Sequence, residues 1–287
     1  MNFWEFCKEH SWKWLLPVLL LCAIYAPVYP QVFREWMSNP NYSHGILVPA
    51  VSGWFIWRMW PELKNSVVKP TNVGFILLVA GILCLGFGLA IREFFTTRCS
   101  LIIILMGLVH VFFGTRVLRL LALPLIFLFF MVPLPATVYD MLTLPLKSLV
   151  SALATSGMKV CGIPVLREGN IIMLPNISLE VVEACSGMRS LVSLMALGTA
   201  YAFIFLQGTW QKAVLIAATV PIAVLTNVSR VFITGVLARQ FGAGVAEGFF
   251  HDFAGFMVFF VAMILTAATG GLLAMLPFGR KGDGHAD

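Results

Sequence analysis

Of the 287 residues, 60% are hydrophobic and 11% charged, with a formal net charge of +6. A soluble domain is nearer half apolar and a quarter charged, so this composition excludes a soluble globular fold and points to lipid as the solvent. The basic residues are scattered between apolar runs, which fits a positive-inside membrane protein and argues against nucleic acid as a partner.

Lys8 and Lys13 precede an apolar run from Leu15 to Val28. Glu5 and Glu9 dilute the basic stretch and no small-x-small cleavage site ends it, so the run reads as a retained span rather than a signal peptide. About 20 apolar residues carry a helix across the hydrocarbon. By that measure eight spans are predicted, at approximately 14–30, 46–60, 72–91, 99–114, 117–133, 187–206, 212–238 and 253–276, the second and fourth short. The expected fold is an all-α polytopic membrane protein forming one membrane-embedded domain over 1–287.

With the N-terminus in the cytoplasm, Arg58, Lys64, Lys69, Arg116, Arg119, Lys212, Arg280 and Lys281 fall inside. Arg34, Arg92, Arg98, Lys147, Lys159 and Arg167 fall outside, mostly beside Glu35, Glu93 and Glu168 or in a long loop where charge counts for little. This bias predicts cytoplasmic termini at both ends. The insert at about 134–185 is then extracytoplasmic. From Val138 to Val160, apolar residues recur at helical spacing around Asp140, Lys147 and Lys159, predicting an interfacial amphipathic helix with a candidate break at Pro145. Ile171–Leu174 and Ile177–Val182 flank Pro175-Asn176, predicting a small β-hairpin that delivers the chain to Cys185.

Four polar segments interrupt the apolar background. Glu183-Ala184-Cys185-Ser186-Gly187-Met188-Arg189 joins the hairpin to the sixth span. A cysteine at a helix N-terminus meets free amides and the positive end of the dipole, which favours the nucleophilic thiolate. Gly187 permits close approach of a substrate backbone. The bland reading is a buried inert cysteine with Ser186 as N-cap. In the seventh span, Asn227 and Arg230 share a helix face, and Arg230 lies about 26 Å from the start of the span, near the outer hydrocarbon edge. An arginine there is either part of a polar pocket or an anchor snorkelling to the headgroups. His251 and Asp252 precede the eighth span at the outer boundary, with Asp252 a candidate helix cap and His251 otherwise a solvated interfacial histidine. Tyr42, Ser43 and His44, before the second span, are candidates to line a substrate path or to form an interfacial turn.

The predicted topology puts Cys185, Arg230 and His251 on one side of the membrane at similar depth. Acyl transfer by a thiol needs these parts: a thiolate to attack a carbonyl, an imidazole to move the proton, and a fixed cation to hold the oxyanion. The six cysteines, Cys7, Cys22, Cys84, Cys99, Cys161 and Cys185, form no C-x-x-C pair. The spacing of His44, Cys185, His251 and Asp252 matches no zinc motif, so no metal is expected.

Glu-Ala-Cys-Ser-Gly at 183–187, Asn-x-x-Arg at 227–230, His251-Asp252 opening the last span and Tyr-Ser-His-Gly at 42–45 resemble the exosortase/archaeosortase family, over nearly the whole chain. The resemblance implies a polytopic enzyme of the plasma membrane, here the bacterial inner membrane, with an outward active site. Its partners would be membrane-anchored exported proteins carrying a C-terminal sorting tail: a Pro-Glu-Pro-type motif, a transmembrane helix and a basic cluster. The family's catalytic cysteine, arginine and histidine land on Cys185, Arg230 and His251, and no cofactor is implied. Glu183, Ser186, Gly187, Arg189, Asn227, Asp252, Tyr42, Ser43 and His44 are candidates for support or substrate binding. Arg189, four residues after Cys185 on the same helix face, competes with Arg230. The acyl-enzyme would pass its product to water or to a cell-envelope acceptor. The bacterial branch of the family is associated with exopolysaccharide. Two non-enzymatic alternatives are a transporter or polysaccharide-export component, which the lack of an inverted repeat disfavours, and a membrane assembly factor.

Overall fold

The computed structural model of the chain describes residues 1–175, 177–181, 187–242 and 249–276, without the side chains of 11 and 249–252. Most of it is helical. Its contacts divide it into two compact units, Met1–Pro135 and Ala136–Asp287.

The first unit contains α1 (Phe3–Glu9), α2 (Ser11–Tyr25), α3 (Tyr29–Ser38), a 3-10 helix (Pro40–Ile46), α4 (Leu47–Arg58), α5 (Trp60–Asn65), α6 (Gly74–Ala90), α7 (Phe94–Phe127) and a closing 3-10 turn (Leu128–Met131). Local chemistry sets several of these ends. The Asn2 side chain accepts from the Glu5 amide at 2.9 Å, and the Asn2 amide donates to the Glu5 carboxylate at 3.2 Å, a capping box that starts α1. Glu93 starts α7 by accepting from the amides of Phe95 at 2.9 Å and Thr96 at 2.6 Å. Burial pulls the Glu93 carboxyl upward, but hydrogen bonds from Thr96 and Phe95 and the Arg98 charge outweigh it and hold the group below the usual carboxylate range.

The predicted span 99–114 and most of the span 117–133 fall in α7. At Gly114 the backbone leaves the helix, with φ 84° and ψ −179°, and the chain reverses. A straight helix would hold Arg98 and Met131 roughly 50 Å apart. Instead both line one cavity of about 220 Å³ with Tyr25, Trp36 and Val132. Leu105, Met106 and Val109 from the first limb pack against Val117, Leu121 and Leu125 from the second. The segment is therefore a helical hairpin with Gly114 as its turn. On α6, Gly74, Gly81 and Gly88 recur every seventh residue where a Cβ would meet Val111, Ile104 and Thr97, so two backbones approach closely along this seam.

The first unit has two chemically distinct ends. At one, Phe3 and Phe6 pack on Phe113 with ring centroids 4.8 and 5.7 Å apart. The Lys69 amide donates to the Phe113 carbonyl at 3.3 Å. This end gathers the N-terminus, the 58–69 connection and the Gly114 turn with Arg116 and Arg119 just after it, which are the basic segments expected inside. At the other end, Arg98 Nη2 pairs with the Glu35 carboxylate at 2.7 Å, Trp36 Nε1 donates to the Met131 carbonyl at 3.0 Å, and Tyr25 and Ser100 share a hydroxyl hydrogen bond. These belong to the segments expected outside or to the span ends beside them. Helices α2, α4 and α6 and both limbs of α7 connect the two ends.

By length and composition, four described helical stretches can cross a membrane: Phe94–Met131, Met188–Phe205, Thr209–Phe241 and Phe253–Met275. A fifth is added if Trp12–Tyr25 and Tyr29–Ser38, bent by 59°, count as one. The first of these contains the reversal at Gly114. Helices α2, α4 and α6 have 15, 12 and 17 residues. They are shorter than the predicted 14–30, 46–60 and 72–91 because bends and a 3-10 helix take up the ends of those runs. Large apolar side chains such as Leu19, Ile76, Leu83, Leu225 and Phe256 are exposed, as a lipid-facing surface requires. The chain is a membrane protein.

The second unit contains α8 (Ala136–Val160), β1 (Leu166–Glu168), β2 (Ile171–Leu174), β3 (Ile177–Glu180), α9 (Met188–Phe205), α10 (Thr209–Phe241) and α11 (Phe249–Met275). The predicted helix 138–160 is α8, and it runs through Pro145 without a break. Proline costs one helical hydrogen bond there. The buried stripe of Tyr139, Thr143, Val150, Ala154 and Met158 holds the helix together across it. The predicted hairpin is β2–β3, and β1 extends it to an antiparallel sheet of order β1-β2-β3. Val150, Ala154 and Met158 of α8, Ile172 and Leu174 of β2, and Val231 of α10 form one core. Leu194, Ala223 and Ala262 join α9, α10 and α11 in another.

Candidate functional site

The site residues expected on the sixth, seventh and eighth spans belong to α9, α10 and α11. Glu183, Cys185 and Ser186 lie outside the described residues. Gly187 precedes α9 in the left-handed conformation, φ 84° and ψ −3°. Only glycine takes up that conformation freely. The Gly187 carbonyl then accepts from the Leu191 amide at 2.9 Å and the Ser190 hydroxyl at 2.8 Å, so the first turn of α9 is fixed two residues after Cys185.

Gly187 abuts α10. A Cβ at this position would lie 2.9 Å from Asn227 Nδ2 and 3.0 Å from its Cγ. Asn227 is 2% exposed and Arg230 is 9% exposed. Both are interior residues of the second unit, on the same face of α10, so Arg230 is not an anchor stretched out to headgroups. Its guanidinium lies over Gly255 of α11, where a Cβ would be 3.2 Å from Nη2, 3.3 Å from Cζ and 3.4 Å from Nη1. Gly255 is one helical turn after His251 and on its face. His251 and Asp252 fall within the first turn of α11, which begins at Phe249. Asp252 is therefore past the N-cap position. Their side chains are outside the described residues.

One turn of α10, Asn227 to Arg230, thus touches the backbone two residues beyond Cys185 on one side and the backbone one turn beyond His251 on the other. A guanidinium and a helix N-terminus are both groups that favour a thiolate and a developing oxyanion. Arg189 lies in the first turn of α9 and is half-buried. Among the described residues no three metal-ligating side chains come together.

The Tyr42–His44 segment belongs to the first unit. Each side chain has a main-chain carbonyl as partner. Tyr42 donates to Leu134 at 3.4 Å, Ser43 to Pro40 at 3.1 Å and His44 Nε2 to Phe130 at 3.2 Å. Burial pushes the His44 imidazole below its ordinary value, against an opposite pull from the Phe130 carbonyl. The Ser43 bond closes the 3-10 helix on itself, and the Tyr42 and His44 bonds fasten that helix to the 3-10 turn after α7 and the residues just beyond it.

Sequence reasoning missed Gly255. A glycine inside an apolar span carries no signal alone. Its spacing of four from His251 is the only hint, and it gains meaning only once Arg230 is seen against it.

A family model for transmembrane exosortases (EpsH) matches residues 36–268. That range includes the Tyr42–His44 segment, Cys185, Asn227, Arg230, His251 and Gly255. No curated protein and no solved structure matches the chain.

Proposed function

The chain belongs to the transmembrane exosortase family, and on that basis we propose that it is a membrane cysteine protease and transpeptidase acting on exported proteins with C-terminal sorting tails. The Cys185 thiolate attacks the scissile carbonyl, and Arg230 holds the resulting oxyanion. Collapse breaks the C–N bond, and His251 delivers the proton to the departing amine. The upstream product remains on Cys185 as a thioester. Water releases it, or an envelope amine or hydroxyl takes it over. Exclusion of bulk water at the interface favours the second route.

The observation that supports this reading is the contact pair made by α10. Asn227 meets Gly187 and Arg230 meets Gly255, which draws the chain neighbours of Cys185 and His251 to one helical turn. The proposal includes a bacterial inner-membrane location, both termini in the cytoplasm, the site facing outward, and one catalytic domain over 1–287. It also includes eight crossings, for which the segregated ends of the first unit give support: α2, α4, α6 and two limbs of α7 there, and α9, α10 and α11 in the second unit.

The test is conversion of a sorting-tail precursor in membranes. Cys185→Ser is expected to leave the precursor uncleaved with the protein present at normal level. A transporter or assembly factor would tolerate this change. Arg230→Ala is expected to lose cleavage, whereas Arg189→Ala retains it; the reverse outcome moves the oxyanion role to Arg189.

Gly255→Ala adds a finer expectation. The new methyl pushes the guanidinium by a few tenths of an ångström, which lowers turnover about tenfold if Arg230 must be placed that closely. Gly271→Ala on the same helix meets nothing within 4 Å and should cleave normally. Equal rates for the two variants would show that Arg230 position is not critical.

A further inference from the structure

The sheet that leads to Cys185 has an open edge, and its geometry shows which groups it offers. In β2 and β3 the partners are Ile171 with Glu180, Ile172 with Leu179, Met173 with Ser178 and Leu174 with Ile177. The Val181 amide donates to the Asn170 carbonyl at 2.9 Å. Antiparallel ladders alternate between pairs that exchange hydrogen bonds and pairs that do not. Starting from Asn170 with Val181, the bonded pairs are Ile172 with Leu179 and Leu174 with Ile177. Ile177 and Leu179 therefore point their main-chain groups at β2, and Ser178 and Glu180 point theirs away from it.

Strand order β1-β2-β3 makes β3 an edge. Among the described residues, no group bonds to the outward amides and carbonyls of Ser178 and Glu180. Both residues are exposed, while Ile177 and Leu179 are half-buried against the core. The edge ends five residues before Cys185. A short strand with outward donors and acceptors, continuous in the chain with the nucleophile, is the arrangement that β-augmentation uses to bind an extended peptide.

We propose that the segment of the substrate next to its scissile bond binds as a strand on β3, through the main chain of Ser178 and Glu180. This rests on the peptidase reading above and specifies how its substrate is held. Main-chain pairing supplies register and affinity with little demand on side-chain identity. It also keeps the peptide extended, so that a carbonyl can be presented to Cys185. A substrate in this position is read through every second residue, because alternate amides face the enzyme.

Ser178→Pro tests the idea at the level of one atom. Proline removes the outward N–H and leaves the bonds of Ile177 and Leu179 to β2 untouched, and proline is tolerated on an edge whose N–H faces outward. With a sorting-tail precursor as probe, Ser178→Pro is expected to raise KM about five- to tenfold with little change in kcat, as loss of one hydrogen bond would. The second arm uses the unaltered chain and peptides spanning the scissile bond, each N-methylated at one amide. Their potency as competitors should fall at every second position. Cleavage by Ser178→Pro at the unaltered KM, or N-methyl effects without that alternation, overturns the proposal while leaving the peptidase reading in place. If Ser178→Pro fails to fold, the N-methyl series decides alone. If the unaltered chain shows no Cys185-dependent cleavage, the peptidase reading fails first and the strand pairing with it.

Discussion

Gly187→Ala is expected to reduce precursor cleavage at least about a hundredfold, a loss typical of catalytic groups displaced by around an ångström. Two independent constraints act on this residue. Its φ of 84° places it in the left-handed region, which costs a residue with a Cβ about 1–2 kcal/mol. Its Cβ would also lie 2.9–3.1 Å from three atoms of the Asn227 side chain. Relaxing the torsion rotates the turn that joins Cys185 to α9. Keeping the torsion pushes Asn227 away, and with it the face that carries Arg230. Either response disturbs the site, so no relaxation rescues activity. Thermal unfolding of the purified chain should fall only modestly, since one loop and one helix end are affected. A variant that cleaves at the normal rate would show that neither the turn nor Asn227 is tied to the chemistry.

Gly114→Ala is expected to have the largest effect on stability, and to act on the first unit. At φ 84° and ψ −179° the backbone lies where essentially only glycine is stable. The position of a Cβ is occupied by the Lys69 carbonyl oxygen, with main-chain atoms of the same residue behind it. Backbone cannot swing aside as a side chain can. The strain and the displaced Lys69 segment together should cost about 3–5 kcal/mol, lowering the melting temperature by roughly 10 °C or more. Gly53→Ala and Gly86→Ala meet nothing within 4 Å in α4 and α6 and should be neutral or slightly stabilising. The measurement is thermal unfolding in detergent for all three. A Gly114→Ala melting temperature equal to the controls would contradict the hairpin turn described for α7.

Much of this architecture could be read before any coordinates. The predicted spans 187–206 and 212–238 became Met188–Phe205 and Thr209–Phe241, because long apolar runs bounded by polar residues leave little freedom in the register of a helix. The apolar runs on either side of Pro175-Asn176 gave β2 and β3. What escaped were short elements whose stability comes from tertiary contacts. α1 is seven residues of mixed aromatic and charged character, and it is held by the capping box and by Phe113. β1 is Leu166-Arg167-Glu168, whose charges hide its strand character until β2 supplies the pairing. Arg98 counted in the sequence as one charge among several near glutamates. In the structure it is 7% exposed and bound to Glu35 on another helix.

The candidate site divides in the same way. Helical periodicity alone put Asn227 and Arg230 on one face. It gave no indication of what that face meets, because the approach of Gly187 and Gly255 depends on how α9 and α11 dock on α10. Likewise, Tyr42, Ser43 and His44 attracted notice as polar residues near a span. Pro40 is a local partner of Ser43, but the carbonyl partners of Tyr42 and His44, at Leu134 and Phe130, emerge only from the packing of the 3-10 helix against the chain that follows α7.

The central claim is that the sulfur of Cys185 becomes covalently joined to substrate. The direct measurement is peptide mass spectrometry after an acid quench of the full chain mixed with precursor. The Cys185 peptide should carry the mass of the upstream product through a hydroxylamine-labile thioester, with far less adduct in Arg230→Ala. Cleavage that proceeds with no adduct on Cys185, or that persists at full rate in Cys185→Ser, would contradict it.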